Sequence, residues 1–277
     1  MIRLLKAGLF RLKKEVLFWI FIFLTIGLAG YGLIKCSSVE SVSFDNVVSF
    51  DNVVNEFIMY IGLFIAIFVS IFVGKEHSQG IIRNKIIVGH SRLSIFVSNL
   101  IISIAVSILC EAIYLVIVIS LGTYLFGQLQ ITSSQFLLSM VDTILIIISF
   151  CSIFNFVAII CSDITVSTTI CMVLFIAMFI AQAALSLTAF STKYLTNNTT
   201  FDENGDIITT QEPDPNYPGD EKVKQARILY LLIPQGQAME VGSNDIELLS
   251  QMPIYSIIVT SIVNFLGIYI FYKKELK

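Results

Sequence analysis

Charge is the scarcest ingredient of this sequence. Only 13% of its 277 residues are Asp, Glu, Lys or Arg, against about a quarter in a typical soluble domain. With 56% hydrophobic residues, 22 Phe and a mean hydropathy of +0.86, most of the surface must face lipid, which excludes a soluble enzyme. The length alone would suit one or two soluble domains, but hydropathy overrides it. A broad basic patch is also missing, which excludes nucleic acid as a partner. Histidine is limited to His77 and His90. No H-E-x-x-H occurs, so the zinc site of an intramembrane metalloprotease is absent, and no His lies in an apolar run to serve an intramembrane serine protease. There is no G-x-x-x-x-G-K-[ST] phosphate loop, so energy from ATP would have to arrive through another polypeptide. The five cysteines, Cys36, Cys110, Cys151, Cys161 and Cys171, show no C-x-x-C spacing. They read as small apolar packing residues, with neither a disulfide framework nor a metal site. No cofactor is expected.

What the chain has instead is long apolar runs. A helix needs roughly 20 apolar residues to cross about 30 Å of hydrocarbon. Six stretches reach or approach that length: Val16–Ile34, Phe57–Val73, Ile95–Leu121, Phe136–Ile160, Val166–Phe190 and Ile254–Tyr272. Only helices and closed barrels satisfy their backbone in lipid, and these runs lack the alternation of barrel strands. The expected fold class is an all-α membrane protein: one domain over 1–277, six transmembrane helices, an interfacial helix over 1–15 and a long outer loop before the last span. The first run is too long for a signal-peptide core and lacks a small-x-small cleavage site. Lys35 sits where a lipoprotein signal would carry a small residue before Cys36. It reads as an anchor.

Basic residues set the orientation. With both termini inside, the cytoplasmic segments collect Arg3, Lys6, Arg11, Lys13, Lys14, Lys75, Arg83, Lys85, Arg92, Lys273, Lys274 and Lys277, twelve of the 17 basic residues. The opposite arrangement would put all twelve outside. The outer face is acidic, with Glu40, Asp45, Asp51 and Glu56 in the first outer loop. That loop also carries a tandem hexamer, Ser43–Val48 followed by Ser49–Val54, read as a duplication that lengthens a tolerant loop. The large outer loop, 191–252, divides in two. Its first half is rich in Asp, Asn and Pro and is expected to be mobile. Its second half holds the short apolar pieces Ile228–Pro234 and Ile246–Leu249, suited to helices lying at or dipping into the outer interface.

The stretch between the second and third runs, 74–94, is the most informative. Gly74-Lys75-Glu76-His77-Ser78-Gln79-Gly80-Ile81-Ile82-Arg83-Asn84-Lys85 reads as a short amphipathic helix. Ile81, Ile82, Ile86 and Ile87 form its apolar side, Glu76, Arg83 and Lys85 its polar side, and Gly80 and Gly89 interrupt or cap it. The bland alternative is an interfacial loop whose cations meet anionic headgroups. An acidic residue, three residues, Gly, two residues, Arg, and then Ser-Arg before the next helix resembles the permease family of type-2 ABC exporters, whose pattern E-x-x-x-G-[TI]-x-[RK]-x-[LIK] follows the second span. The matching positions are Glu76, Gly80, Ile81 and Arg83, with Ser91 and Arg92 downstream. The family often has a Pro shortly before that Ser-Arg, where this chain has Val88-Gly89-His90. The layout of six spans, a basic amphipathic N-terminal segment and a long outer loop before the last span is similar too.

The resemblance implies a coupling helix that docks on cytosolic ABC ATPase subunits, a second permease chain, identical or not, and alternating access transmitted as rigid-body motion. Ile81, Ile82 and Ile86 would be its apolar anchors, with Arg83 and Glu76 setting orientation. Long Ile- and Phe-rich spans and the lack of eukaryotic targeting signals point to a bacterial plasma membrane, and the resemblance implies an amphiphilic peptide, antibiotic or lipid-like cargo, with self-protection against a peptide antibiotic as one use. Two ionisable residues inside runs are functional candidates by default, Glu111 and Asp142: a path for a cationic substrate or the seam between two permeases. Against this, Asp142 would reach the outer interface and Glu111 would hydrogen-bond within the bundle. Asn155, Gln182 and Asn264 are expected to join helices. Two rivals stand beside the exporter: a membrane sensor or scaffold that moves nothing, and a proton-coupled transporter using Glu111 and Asp142, although no inverted repeat is visible.

Overall fold

A computed structural model describes residues 1–39, 50–129, 131–161, 163–201, 207–243 and 248–274. Six helical stretches are long and apolar enough to cross a bilayer: Val16–Ser37, Phe50–Ser78, Arg92–Phe126, Ser133–Ile160, Ile164–Ala189 and Met252–Lys273. The protein is an all-α membrane protein, as its hydropathy requires. Its helices are α1 (Ile2–Lys14), α2 (Val16–Val39), α3 (Phe50–Val54), α4 (Ile58–Ser78), α5 (Ile81–Ile87), α6 (Arg92–Phe126), α7 (Ser133–Ile160), α8 (Ile164–Ala189), α9 (Asp220–Leu232), α10 (Pro234–Ser243) and α11 (Met252–Lys273).

The most buried spans, α4 and α7, form the centre, and α8 and α11 present most of their surface outward. Ala66, Val69, Phe150, Phe154 and Cys171 fill the middle with almost no exposed area. All five cysteines are free and buried, in keeping with a packing role. Phe150 and Phe154, one turn apart on α7, stack with their rings 6.0 Å apart. Gly62 allows the close approach of α4 to α7 and α8: a Cβ there would press on Phe150 and Phe175. Side-chain hydrogen bonds lock the spans together. Asn264 donates to Ser152 Oγ at 2.9 Å, Asn155 to the Phe96 carbonyl at 3.5 Å, and Gln182 is buried on α8.

The second crossing differs from its apolar run. It starts at Phe50 rather than Phe57 and includes both Asp51 and Glu56. Asp51 lies in the first turn of α3, and Glu56 is held by Lys35 of α2 at 3.1 Å, which lets a carboxylate enter a helical segment. The second hexamer copy is therefore not slack loop. Its Phe50, Val53 and Val54 are buried, and the Tyr114 hydroxyl donates to the Val53 carbonyl at 2.7 Å. The first copy, 43–48, lies outside the described residues.

The long segment before the last span also differs from expectation. Its first half forms an antiparallel hairpin, β1 (Tyr194–Phe201) with β2 (Ile207–Pro213), running from Tyr194 opposite Pro213 to Phe201 opposite Ile207. In its second half α10 enters the bundle, while α9 buries only Ala226, Tyr230 and Leu231. Nearly every residue of α10 is buried, against α4, α7 and α8. A helix as polar as Pro-Gln-Gly-Gln-Ala-Met-Glu can be buried because its side chains find partners. Gln235 donates to the Met59 carbonyl at 3.1 Å, Gln237 donates to the Leu231 carbonyl and accepts from Ser256, and Tyr230 donates to Glu240 at 2.8 Å.

Candidate functional site

The basic residues read from the sequence as cytoplasmic, Lys277 excepted because it lies outside the described residues, gather at one end of the bundle, and the site is built there on Glu76. This residue belongs to the last turns of α4, not to the short helix that follows, and only 1% of it is exposed. An unpaired carboxylate at that depth would be costly, and Glu76 has three partners. Oε1 accepts from Arg11 Nη1 of α1 at 2.8 Å and from Lys85 Nζ of α5 at 2.6 Å. Oε2 accepts from Asn99 Nδ2 of α6 at 2.8 Å. One carboxylate thus ties together the amphipathic N-terminal helix, the loop helix and two spans.

The packing of α1 explains how Arg11 reaches it. Leu4, Gly8 and Leu12 recur every four residues, share one face and are buried. Gly8 lies so close to α6 that a Cβ would overlap the Ile102 side chain. From that face Arg11 also donates to the Phe72 carbonyl at 2.8 Å and stands over the Phe72 ring at 3.9 Å. Met1, Ile2, Leu9 and Phe10 remain exposed, with Arg3, Lys6, Lys13 and Lys14 nearby in sequence, the makeup of a helix lying in a membrane surface. A second link, Lys75 to Glu15 at 2.6 Å, fixes the α1–α2 junction against α4.

The loop helix begins at Gly80, whose φ of 67° is the left-handed conformation that glycine adopts without strain. Gly89, with φ of 95°, ends the turn after it. Between them the expected anchors separate. Ile82 is 1% exposed, and Ile86 rests against the hydrophobic core, so these two hold α5 to the bundle. Ile81 is half-buried, and Arg83 and Asn84 are exposed. The apolar residues open to a partner are Ile87 and Val88, at 73% and 77% exposure. Glu76 and Ile82, expected at a docking surface, face inward instead because the α4 terminus and the loop fold over them.

Ser91 and Arg92 also have structural duties. Ser91 caps α6, accepting from the Ser94 amide at 3.2 Å. Arg92 Nη1 donates to the carbonyls of Phe271, Tyr272 and Lys274, two of them at 2.8 and 2.9 Å. These are orphan acceptors at the end of α11, where a cation is favoured. Lys274 repeats the device on α7, donating to the carbonyls of Ile159 and Ile160 at 3.2 and 2.7 Å. Arg92→Ala is expected to cost about 1–2 kcal/mol through the lost cap, and Arg92→Lys to recover only part because it lacks the planar fork. Thermal unfolding of the purified variants in detergent measures both.

Glu111 and Asp142 are 5% and 1% exposed. No carboxylate oxygen of either has a hydrogen-bond partner among the described residues. Neither alternative from the sequence describes them: Asp142 does not reach an open surface, and Glu111 is not bonded within the bundle. The Ser107–Cys151 contact at 3.7 Å sets the register of antiparallel α6 and α7. It places the two carboxyls about five residues apart along the pair, roughly 7 Å at 1.5 Å per residue. Both are enclosed within this one chain, so they do not form a free surface for a second permease.

The sequence reading missed Arg11, Lys85 and Asn99 as a set. The signal was a polar Asn within the third apolar run and an Arg beside the Leu4-Gly8-Leu12 stripe, neither interpretable until Glu76 is seen to turn inward. No protein-family model matches this chain, and no curated protein matches it.

Proposed function

We propose that this chain is the permease subunit of an ATP-driven exporter of the type-2 ABC class. In this reading the basic end is cytoplasmic, α5 is the coupling helix, and a separate ATPase dimer drives two permease chains through alternating access. The observation that carries the proposal is the Glu76 junction. A short helix outside the bilayer is of no mechanical use unless its displacement reaches the spans. Here Lys85 on α5, Arg11 on α1 and Asn99 on α6 converge on one buried carboxylate of α4, so pushing α5 moves all four elements as a unit. Ile82 and Ile86 hold α5 to the bundle. Arg83, Ile87 and Val88 form its outward face, two apolar anchors and a cation of the kind a groove on a partner accepts.

The cargo in this reading is an amphiphile, taken from the lipid phase along the spans that present most surface outward, α8 and α11. The test is co-purification of the chain with the ATPase encoded beside it. Ile87→Asp with Val88→Asp is expected to abolish retention of the ATPase while leaving thermal unfolding unchanged, since neither side chain contributes to the core. Retention of the ATPase by that double variant, or the absence of any nucleotide-hydrolysing partner for the wild type, overturns the reading. Either result favours a sensor or scaffold.

A further inference from the structure

At the end of the bundle opposite Glu76, the ion pair that admits Glu56 to the second crossing is only partly buried. Lys35 near the end of α2 bonds Glu56, just before α4, at 3.1 Å, with the lysine side chain 39% exposed and the glutamate 13%. Beside the pair lies a small cavity of about 30 Å³ lined by Leu28, Tyr31, Glu56, Phe57, Tyr60 and Tyr114. Its floor is rigid. Phe57 and Tyr114 are stacked with centroids 5.0 Å apart, and the Tyr114 hydroxyl is bonded to the Val53 carbonyl. Its opening is formed by Tyr31 and Tyr60, both well exposed and close enough to interact electrostatically with Lys35. Glu56 Oε1 takes Lys35, while Oε2 lies beside Gly32 of α2, where a Cβ would stand 3.7 Å from it and press on Val53 at 2.8 Å, so α2 packs closely here. A carboxylate beside tyrosine rings suits an organic ammonium, by charge and by the ring faces, and the Lys35 ammonium already sits on this carboxylate.

Tyr60 has a second role. It also lines an apolar groove of about 360 Å³ with Met59 and Leu63 of α4, Phe175, Ile176 and Phe179 of α8, and Met239 of α10. Glu56 lies in the turn that leads into α4, and Tyr60 and Leu63 follow on one face of that helix, so an acid, an aromatic and an aliphatic residue succeed one another toward the groove. The pattern matches a molecule with a cationic head and an apolar tail, and a cavity of that volume is the size of small-molecule sites generally.

We propose that Glu56, Tyr31 and Tyr60 form a binding site for the alkylammonium head of a single-chain amphiphile whose tail lies in the Leu63–Phe175 groove, with Lys35 as a built-in surrogate that the ligand displaces. The exchange replaces one ammonium by another at the same carboxylate, so no charge is left buried without a partner. Lys35 leaves readily because its long stem lets its head swing to water. The site belongs to this chain alone and stands or falls independently of any ATPase.

The proposal makes opposite demands on two halves of one ion pair. The full chain is reconstituted in vesicles of a neutral glycolipid, which carry no ammonium headgroup. Binding of a spin-labelled long-chain primary amine is compared with that of the alcohol of equal chain length, from the motionally restricted fraction of the spectrum. The amine is expected to associate about tenfold more strongly than the alcohol with the wild type, the range of a charge-assisted hydrogen bond. Glu56→Gln should reduce the amine to the level of the alcohol, and Lys35→Ala should strengthen amine binding by removing the internal competitor. Equal binding of amine and alcohol to the wild type overturns the site, as does weaker amine binding by Lys35→Ala. Should Glu56→Gln fail to fold, Tyr60→Ala, at a half-exposed position, must still weaken amine binding, and unchanged binding counts equally against the proposal.

Discussion

Replacing Glu76 by alanine is expected to lower stability by about 3 kcal/mol, the largest loss for any single polar side chain in this protein. Removing one member of a buried ion pair costs more than the pair contributes, because the partners remain as uncompensated charges; about 3–5 kcal/mol is usual. The lower end applies because the Arg11 and Lys85 side chains keep 23% and 15% of their exposure and water screens part of the loss. Arg11 also retains the Phe72 carbonyl and ring. Lys85 has no such reserve within α5. On the scaling of soluble domains of 150–250 residues, about 3 kcal/mol corresponds to roughly 10 °C in the unfolding midpoint. Glu76→Gln should fall between, since it keeps one acceptor oxygen for Arg11 and Lys85 but carries no charge.

The informative measurement is a double-mutant cycle. Arg11→Ala combined with Glu76→Ala should cost less than the sum of the single losses, because deleting the acid leaves one fewer orphan when the base is gone too. Strict additivity would mean that Arg11 acts on α4 through the Phe72 carbonyl and ring alone. Under the exporter reading, ATP turnover should also lose its dependence on cargo in Glu76→Gln even where that variant is folded, because α5 then moves without α4.

Much of this architecture could be read from hydropathy, and the reasons for the rest are specific. Six spans follow from apolar length, and five of them fall within a few residues of their runs. The second fails at its outer end because Asp51 and Glu56 look like loop residues until Lys35, on another helix, is brought to Glu56. The Glu76 position was legible as important and illegible as buried. A carboxylate beside Lys75 and His77 reads as interfacial, and only tertiary structure supplies the three donors that permit burial. Gly80 and Gly89 were legible as helix boundaries because their conformational freedom is local. The same limit applies to α10. Ten residues of mixed polarity give no periodic signal for a buried helix, and the partners that make its burial tolerable lie on α4, α9 and α11.

Gly236→Ala carries the second large expectation, because that buried helix depends on one close approach of backbone to backbone. A Cβ at Gly236 would overlap the Tyr230 carbonyl oxygen, with the Tyr230 carbonyl carbon and ring each at 3.2 Å. A side chain could rotate away, but a carbonyl cannot. The turn from α9 into α10 would have to open, and Tyr230 is pinned on two sides by Glu240 and by the edge-on Phe190 ring at 5.3 Å. Opening it also strains the Gln237 bond to the Leu231 carbonyl and the Gln235 bond to the Met59 carbonyl. The expected loss is about 2–3 kcal/mol, the upper part of the range for overpacking. Gly27→Ala is the control: nothing lies within 4 Å of the added methyl, and alanine is favoured over glycine in a helix by up to about 1 kcal/mol. Hydrogen exchange should localise the difference. Amides of α9 and α10 should exchange faster in Gly236→Ala while those of α4 and α7 hold, which would make the α9–α10 pair a unit able to release from the bundle without unfolding it. Uniform acceleration across all spans would show the opposite, that this segment is a structural keystone and cannot move separately.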